Sequence, residues 1–228
     1  MPSVYQKNYS DKGYRMKYEK DVSIAPYKNW VMQFKIEMPE ILPLIWRRIQ
    51  VPTDYNFWDL HVAIQDSMGW LDCHLHVFFK GKLMGEGMEG IGIPGDEFDD
   101  GHTRPGWEVP IKDRFTEPGS KFTYEYDFGD DWRHAVLLED IIPVEIGVMY
   151  PRCLAGERAC PPEDCGGVGG YYELLKIIGE PGHEEHQEMI SWLKGHLKKY
   201  HPYKPDVFDP RKVVFSDPKK RLKMALEK

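Results

Sequence analysis

Residues 121–128, KFTYEYDF, alternate without a break. Phe122, Tyr124, Tyr126 and Phe128 fall on one side, and Lys121, Thr123, Glu125 and Asp127 on the other. Period-two alternation belongs to a strand with one face on a core and the other in water. GDD at 129–131 then reads as a turn, and WRHAVLLED from Trp132 as the returning strand of a hairpin. Two earlier strands are expected, WVMQFKIEM from Trp30 and LIWRRIQV from Leu44, with Pro39 and Pro43 breaking the chain between them. In the second, Ile45, Arg47, Ile49 and Val51 share a face.

The clearest helix is NFWDLHVAIQDSMGW. Phe57, Leu60, Ile64 and Met68 recur at helical spacing, Asn56 can cap the start with Asp59 three residues on, and Gly69 stands where a left-handed C-terminal cap belongs. CHLHVFFK is a further short strand, in which Asp72, His74 and His76 would line one face. Residues 85–106, rich in glycine and acid, read as one long loop. YYELLKIIG and HEEHQEMISWLKGHLKKY read as helices parted by Pro181 and Gly182, and DPKKRLKMALEK as a short basic helix. Strands precede helices in blocks, so the expected class is α+β. It comprises a mostly antiparallel sheet, a helix after the second strand, and C-terminal helices packed on the sheet.

At 228 residues, with 41% hydrophobic and 13% aromatic side chains, the chain suits one large domain with a real core. The expected division is an N-terminal extension at 1–29, disordered in part, a single α+β domain at 30–204, and a basic tail at 205–228. No apolar run reaches the roughly 20 residues needed to cross a bilayer, so no membrane partner is expected and the cytoplasm is the expected compartment. Four cysteines there would stay reduced. The net charge of −7 argues against nucleic-acid binding by the whole molecule. From Lys194 to Lys228, however, eleven Lys and Arg stand against four Asp and Glu, so nucleic acid remains a partner to test through this tail.

The densest chemistry is CLAGERACPPEDCGG at 153–167. Cys153, Cys160 and Cys165 lie in one loop-like stretch and could supply thiolates to zinc, although the tight CxxC knuckle is missing and a fourth ligand must come from elsewhere. The bland alternative is three half-buried thiols in a loop shaped by prolines and glycines. CGGVGGYY lacks the Lys-Ser/Thr of a phosphate loop, leaving generic anion binding at a helix start or a tight turn. HEEHQ fails the zinc-protease pattern because position 187 is Gln.

PLIWRRIQVP, FWDLHVAIQDSMGW, HLHVF, YEYDFGDDWRH and CPPEDCGGVGGY, in this order, resemble the plasmid pRiA4b ORF-3-like family from about Trp30 to Tyr200. The resemblance implies an α+β protein and offers no catalytic residue to carry over. Relatives need not have Cys at 165, which weakens a three-thiolate site as a family feature. The resolvase label sometimes given to such proteins does not fit. Ser3, Ser10 and Ser23 lie in the unpatterned extension, and no helix-turn-helix follows. Polar positions typical of the family, His74, His76, Asp130, Asp131, His134, Glu163 and Asp164, form the candidate surface. The leading expectation is a protein that binds a protein, peptide or small-molecule ligand there. The alternative is a metal-dependent hydrolase using His74, His76, Asp130, Asp131 and His134, which requires those side chains to converge.

Overall fold

The computed structural model describes residues 29–81, 88–95 and 101–227. The expectations for the N-terminal extension, for KLMG and for part of the acidic stretch fall outside them. The elements are β1 (Trp30–Met38), β2 (Ile45–Pro52), α1 (Phe57–Met68), β3 (His76–Phe79), β4 (Gly90–Gly92), β5 (Thr103–Pro105), β6 (Lys121–Tyr126), β7 (Trp132–Pro143), β8 (Arg152–Glu157), α2 (Gly167–Gly179), α3 (His186–Gly195) and α4 (Pro218–Leu226). The strands form one eight-stranded sheet in the order β5-β4-β3-β6-β7-β1-β2-β8. Every pairing is antiparallel except β4 with β5. The α+β class stands.

Local chemistry accounts for α1. The Asn56 side chain accepts from the Asp59 backbone N–H at 2.8 Å, and the Asp59 carboxylate accepts from the Asn56 N–H at 3.1 Å. The capping box therefore works with Asp in the usual Glu position, and contributes about 1 kcal/mol. Gly69 ends the helix at φ 90°. Phe57, Leu60, Ile64 and Met68 are buried in one apolar cluster with Met32, Phe34, Ile36 and Met38 of β1. The rings of Phe34 and Phe57 both meet Phe115, at 4.8 and 5.8 Å between centroids. Each buried phenylalanine contributes roughly 1.5–3 kcal/mol. The opposite face of β1 and β2 carries a polar ladder. Gln50 donates to Gln33, Gln33 donates to Glu139, and Arg48 grips Glu139 through two hydrogen bonds.

Three expectations need correction. Residues 85–106 are not one loop, because β4 and β5 lie within them. Glycine there serves close packing: a Cβ on Gly92 would collide with the His76 carbonyl across the β3–β4 pair. The cysteine stretch opens as strand β8, paired with β2. Gly156 sits so tightly in it that a Cβ would meet the Phe208 ring at 2.5 Å and the Trp46 carbonyl at 2.7 Å. The last long helix covers only 186–195, because the Pro181–Gly182 break carries turns as far as Glu185 and Gly195 stops the helix.

The basic C-terminal residues pack onto the body. Trp58 donates from Nε1 to the Pro218 carbonyl at 2.8 Å, and Arg221 pairs with Asp66 and Asp72 at 2.9 and 2.5 Å. Phe208 lies 3.6 Å under the Arg47 guanidinium. No helix among the described residues is long and apolar enough to cross a membrane.

Candidate functional site

Three segments far apart in sequence meet at one end of the sheet: the approach to β3, the β6–β7 turn and the stretch after β8. Their junction is Glu163, a buried carboxylate. It accepts from the Leu71 N–H at 2.7 Å and the Tyr126 hydroxyl at 2.6 Å, with the Cys73 thiol at 3.5 Å. Burial and the bond to Glu163 push the Tyr126 phenol far up, so it stays a donor. Trp70 stacks on Tyr126 and donates to the Pro161 carbonyl, fixing the prolines that precede Glu163.

On this platform stand His74, Asp127 and Asp164, with ligand atoms all within 4.8 Å of one another. His74 Nε2 lies 2.9 Å from Asp164 and 3.5 Å from Asp127. Asp127 and Asp164 both sit at φ 60°, a left-handed conformation that few residues other than glycine adopt readily. One Asp127 oxygen accepts from the Gly129 and Asp130 N–H groups, at 3.1 and 3.3 Å, and so shapes the turn. The other faces His74. His196, just past α3, comes to 3.8 Å of Asp164 and packs at a tilt against Tyr200. Beside Asp164 opens a cavity of about 300 Å³ lined by Asp164, Cys165, Leu174, Glu185, Glu188, Met189 and Trp192.

The sequence-level candidates divide. His74 and Asp164 are in the cluster, and Glu163 supports it from below. Asp130 accepts instead from the Gly166 N–H at 3.2 Å, so an anion does occupy the start of α2, and it is the protein's own carboxylate. Gly167 must be glycine beside it, since a Cβ would come within 2.5 Å of the Asp130 carbonyl. Asp131 pairs with Arg133 at 2.7 Å.

His76 and His134 are core residues. His76 stacks on His61, and burial followed by the His61 charge holds its imidazole well below the usual range. His134 packs edge-on against Trp70, and burial lowers it to about 4. The five-residue cluster required for the hydrolase expectation therefore does not form, and Asp72, His74 and His76 do not share a strand face, because β3 begins only at His76.

Cys153, Cys160 and Cys165 are free, and no cysteine belongs to either close-set group of His, Cys, Asp or Glu ligands among the described residues. Burial pushes the Cys153 thiol up to about 11, Cys165 up to about 12, and Cys160 further. None is poised as a nucleophile at neutral pH.

Asp127 escaped sequence reasoning, although its Asp-x-Gly spacing signals a side chain turned onto its own backbone. Trp192 and Glu188 were read only as parts of a helix.

A crystal structure titled as a protein of unknown function, MM3350 from Methanosarcina mazei Go1, superposes with a TM-score of 0.69. It shares 40% identity, covering 82% of this chain and 98% of that one. The uncharacterized protein y4hQ of Sinorhizobium fredii is 34% identical over 163 residues, which span 71% of this chain and 80% of that protein. Neither title names an activity. The family model described as plasmid pRiA4b ORF-3-like protein matches residues 30–212, the stretch that contains every side chain of the cluster and its cavity, and the chain belongs to that family.

Proposed function

We propose that the protein is a binding protein, and that its ligand is a small organic cation on an apolar stem, taken into the cavity between Asp164 and α3. One observation carries the reading. Among the described residues the cavity is lined by three acidic residues, Asp164, Glu185 and Glu188, with Trp192, Met189 and Leu174, and by no lysine or arginine. An indole face and nearby carboxylates together favour an ammonium or guanidinium over a neutral or anionic head group. A volume of about 300 Å³ suits a small ligand rather than a folded partner. Four free thiols, three of them at least half-buried, support placement in the reducing cytoplasm.

The test is calorimetric titration of the full chain with agmatine, followed by Trp192→Leu and Glu188→Gln variants. Saturable binding at one site, weakened about tenfold or more by either change, is the expected result. Absence of saturable binding, or binding indifferent to both changes, overturns the reading.

A further inference from the structure

We infer that His74, Asp127 and Asp164 form a binding site for a divalent transition-metal ion of the zinc type. The site shares Asp164 with the cation cavity, but its other two ligands lie outside that cavity's lining, and separate observations support it.

The first argument is donor geometry. One imidazole nitrogen and two carboxylate oxygens already lie within 4.8 Å of one another, and a shared ion would need only small side-chain adjustments to draw them in. The second is burial without compensation. Asp127 is 92% buried (8% exposed), and only one of its oxygens is occupied by the turn; the other points at His74. Among the described residues, no lysine or arginine pairs with Asp127 or Asp164. Two carboxylates therefore share the His74 imidazole, with His196 only at the outer edge, 3.8 Å from Asp164, and a dication neutralises both.

The third argument is access. The Asp164 side chain is 53% exposed and that of His74 30%, so a hydrated ion can reach the outer ligands before it meets the buried one. An imidazole with two carboxylates selects zinc and its first-row neighbours over magnesium or calcium, which take all-oxygen shells.

The experiment is a competition titration of chelator-stripped full-length protein with zinc against a chromophoric chelator, repeated with cobalt for its spectrum. The expected result is one ion per chain, and cobalt bands free of the near-ultraviolet thiolate absorption that cysteine ligands produce. Asp127→Asn keeps the oxygen that shapes the turn and replaces only the free one. It should weaken zinc binding about tenfold or more with an unchanged melting temperature. His74→Ala, at a partly exposed position, should do the same and serves if the Asn variant folds poorly. The Cys153→Ser/Cys160→Ser/Cys165→Ser variant and His183→Ala should bind as the parent does. Any of four results overturns the site: no stoichiometric zinc, zinc binding unmoved by Asp127→Asn and His74→Ala, a thiolate band, or loss of binding in the serine or His183 variants. The zinc titration is read without amine and the agmatine titration without metal, so either reading can fail alone.

Discussion

His61 and His76 lie face to face, with ring centroids 3.5 Å apart and planes 6° from parallel, sealed between α1 and the sheet. His61 is held at both nitrogens, by the Tyr124 hydroxyl at 2.8 Å and by Asp72 at 2.7 Å. Asp72 in turn takes Arg221 from α4. Burial alone would raise the Asp72 carboxyl, but His61 and then Arg221 outweigh it and hold the group well below the usual carboxylate range. A buried polar relay thus joins the first helix, the approach to β3 and the last helix.

Stability should fall as pH drops below neutral. His76 and His134 are both held neutral by burial, His134 with its value lowered to about 4. In the unfolded chain each takes up a proton near pH 6.5, so below that pH the unfolded state binds more protons than the folded one. The stability from burying them neutral is whole above about pH 6.5 and drains as pH falls toward 4. His134 alone accounts for on the order of 3 kcal/mol across that window. Asp72, whose value is also lowered, acts in the same direction but keeps its contribution until pH falls below its unfolded value near 3.9. Urea midpoints should be clearly lower at pH 5 than at pH 7.5, and His134→Gln should flatten the difference. Equal midpoints at the two pH values would refute the assignment.

Removing Arg221 should loosen the last helix before it loosens the sheet. Its guanidinium serves Asp66 and Asp72, whose side chains are only 11% and 12% exposed. Arg221→Ala leaves both carboxylates in place without their partner, at a cost of about 2–3 kcal/mol, reduced from the fully buried case by partial exposure. Hydrogen exchange should accelerate first in residues 216–226 and at the Trp58 indole, which loses its hold on the Pro218 carbonyl. Uniform acceleration across the sheet would show instead that α4 is not a separate unit.

The α+β layout was legible in the sequence because alternation and helical spacing are local signals. Phe122, Tyr124 and Tyr126 face inward as their period requires, and Asn56 and Gly69 bracket α1 as their chemistry dictates. Two of the strands that escaped notice, β4 and β8, are ones in which glycine is demanded by contact with a neighbouring chain segment. Gly92 against His76 and Gly156 against Phe208 look like loop composition until the partner is visible. The cluster was half legible. His74 and Asp164 stood out as polar residues in family-typical positions, but they meet across 90 residues, which no spacing rule reaches. Asp127 was hidden by the very alternation that revealed β6, since the pattern assigns it to the open face with Lys121. The chain leaves the strand at Tyr126, and φ 60° at Asp127 swings the carboxylate to His74.

Arg47 should prove costly to replace even though, among the described residues, it forms no ion pair with a carboxylate. It is 1% exposed and donates to the carbonyls of Ser67, Trp46 and Glu157 at 2.8–2.9 Å, tying the end of α1 to β2 and β8. Burial lowers its affinity for the proton, but three carbonyls and the Phe208 ring keep the guanidinium in place. Arg47→Met keeps the volume and strands three acceptors, at about 3 kcal/mol or more. Arg47→Lys should recover only part of that, because one ammonium cannot reproduce the fork. Denaturant melts of the two variants decide it; a lysine variant as stable as the parent would mean that charge alone matters at this position.

Thiol chemistry should be slow in the folded protein and rapid in denaturant. Cys73 is the exposed thiol, yet partial burial and the adjoining Glu163 carboxylate push it up to about 11. At pH 7.5 only about one such thiol in several thousand is ionised, against roughly one in ten for a free cysteine. Cys160 is buried, and the neighbouring Arg47 charge lowers its thiol by less than burial raises it. A thiol-exchange reagent at pH 7.5 should modify Cys73 first, a few hundred-fold more slowly than free cysteine, roughly in proportion to its thiolate fraction. Its rate should climb steadily between pH 8 and 10, while Cys160 waits for unfolding. Rapid labelling of Cys160 in the native protein would mean that β8 and the PPED segment open readily, and the rigid platform that Glu163 provides beneath His74 and Asp164 would then have to be abandoned.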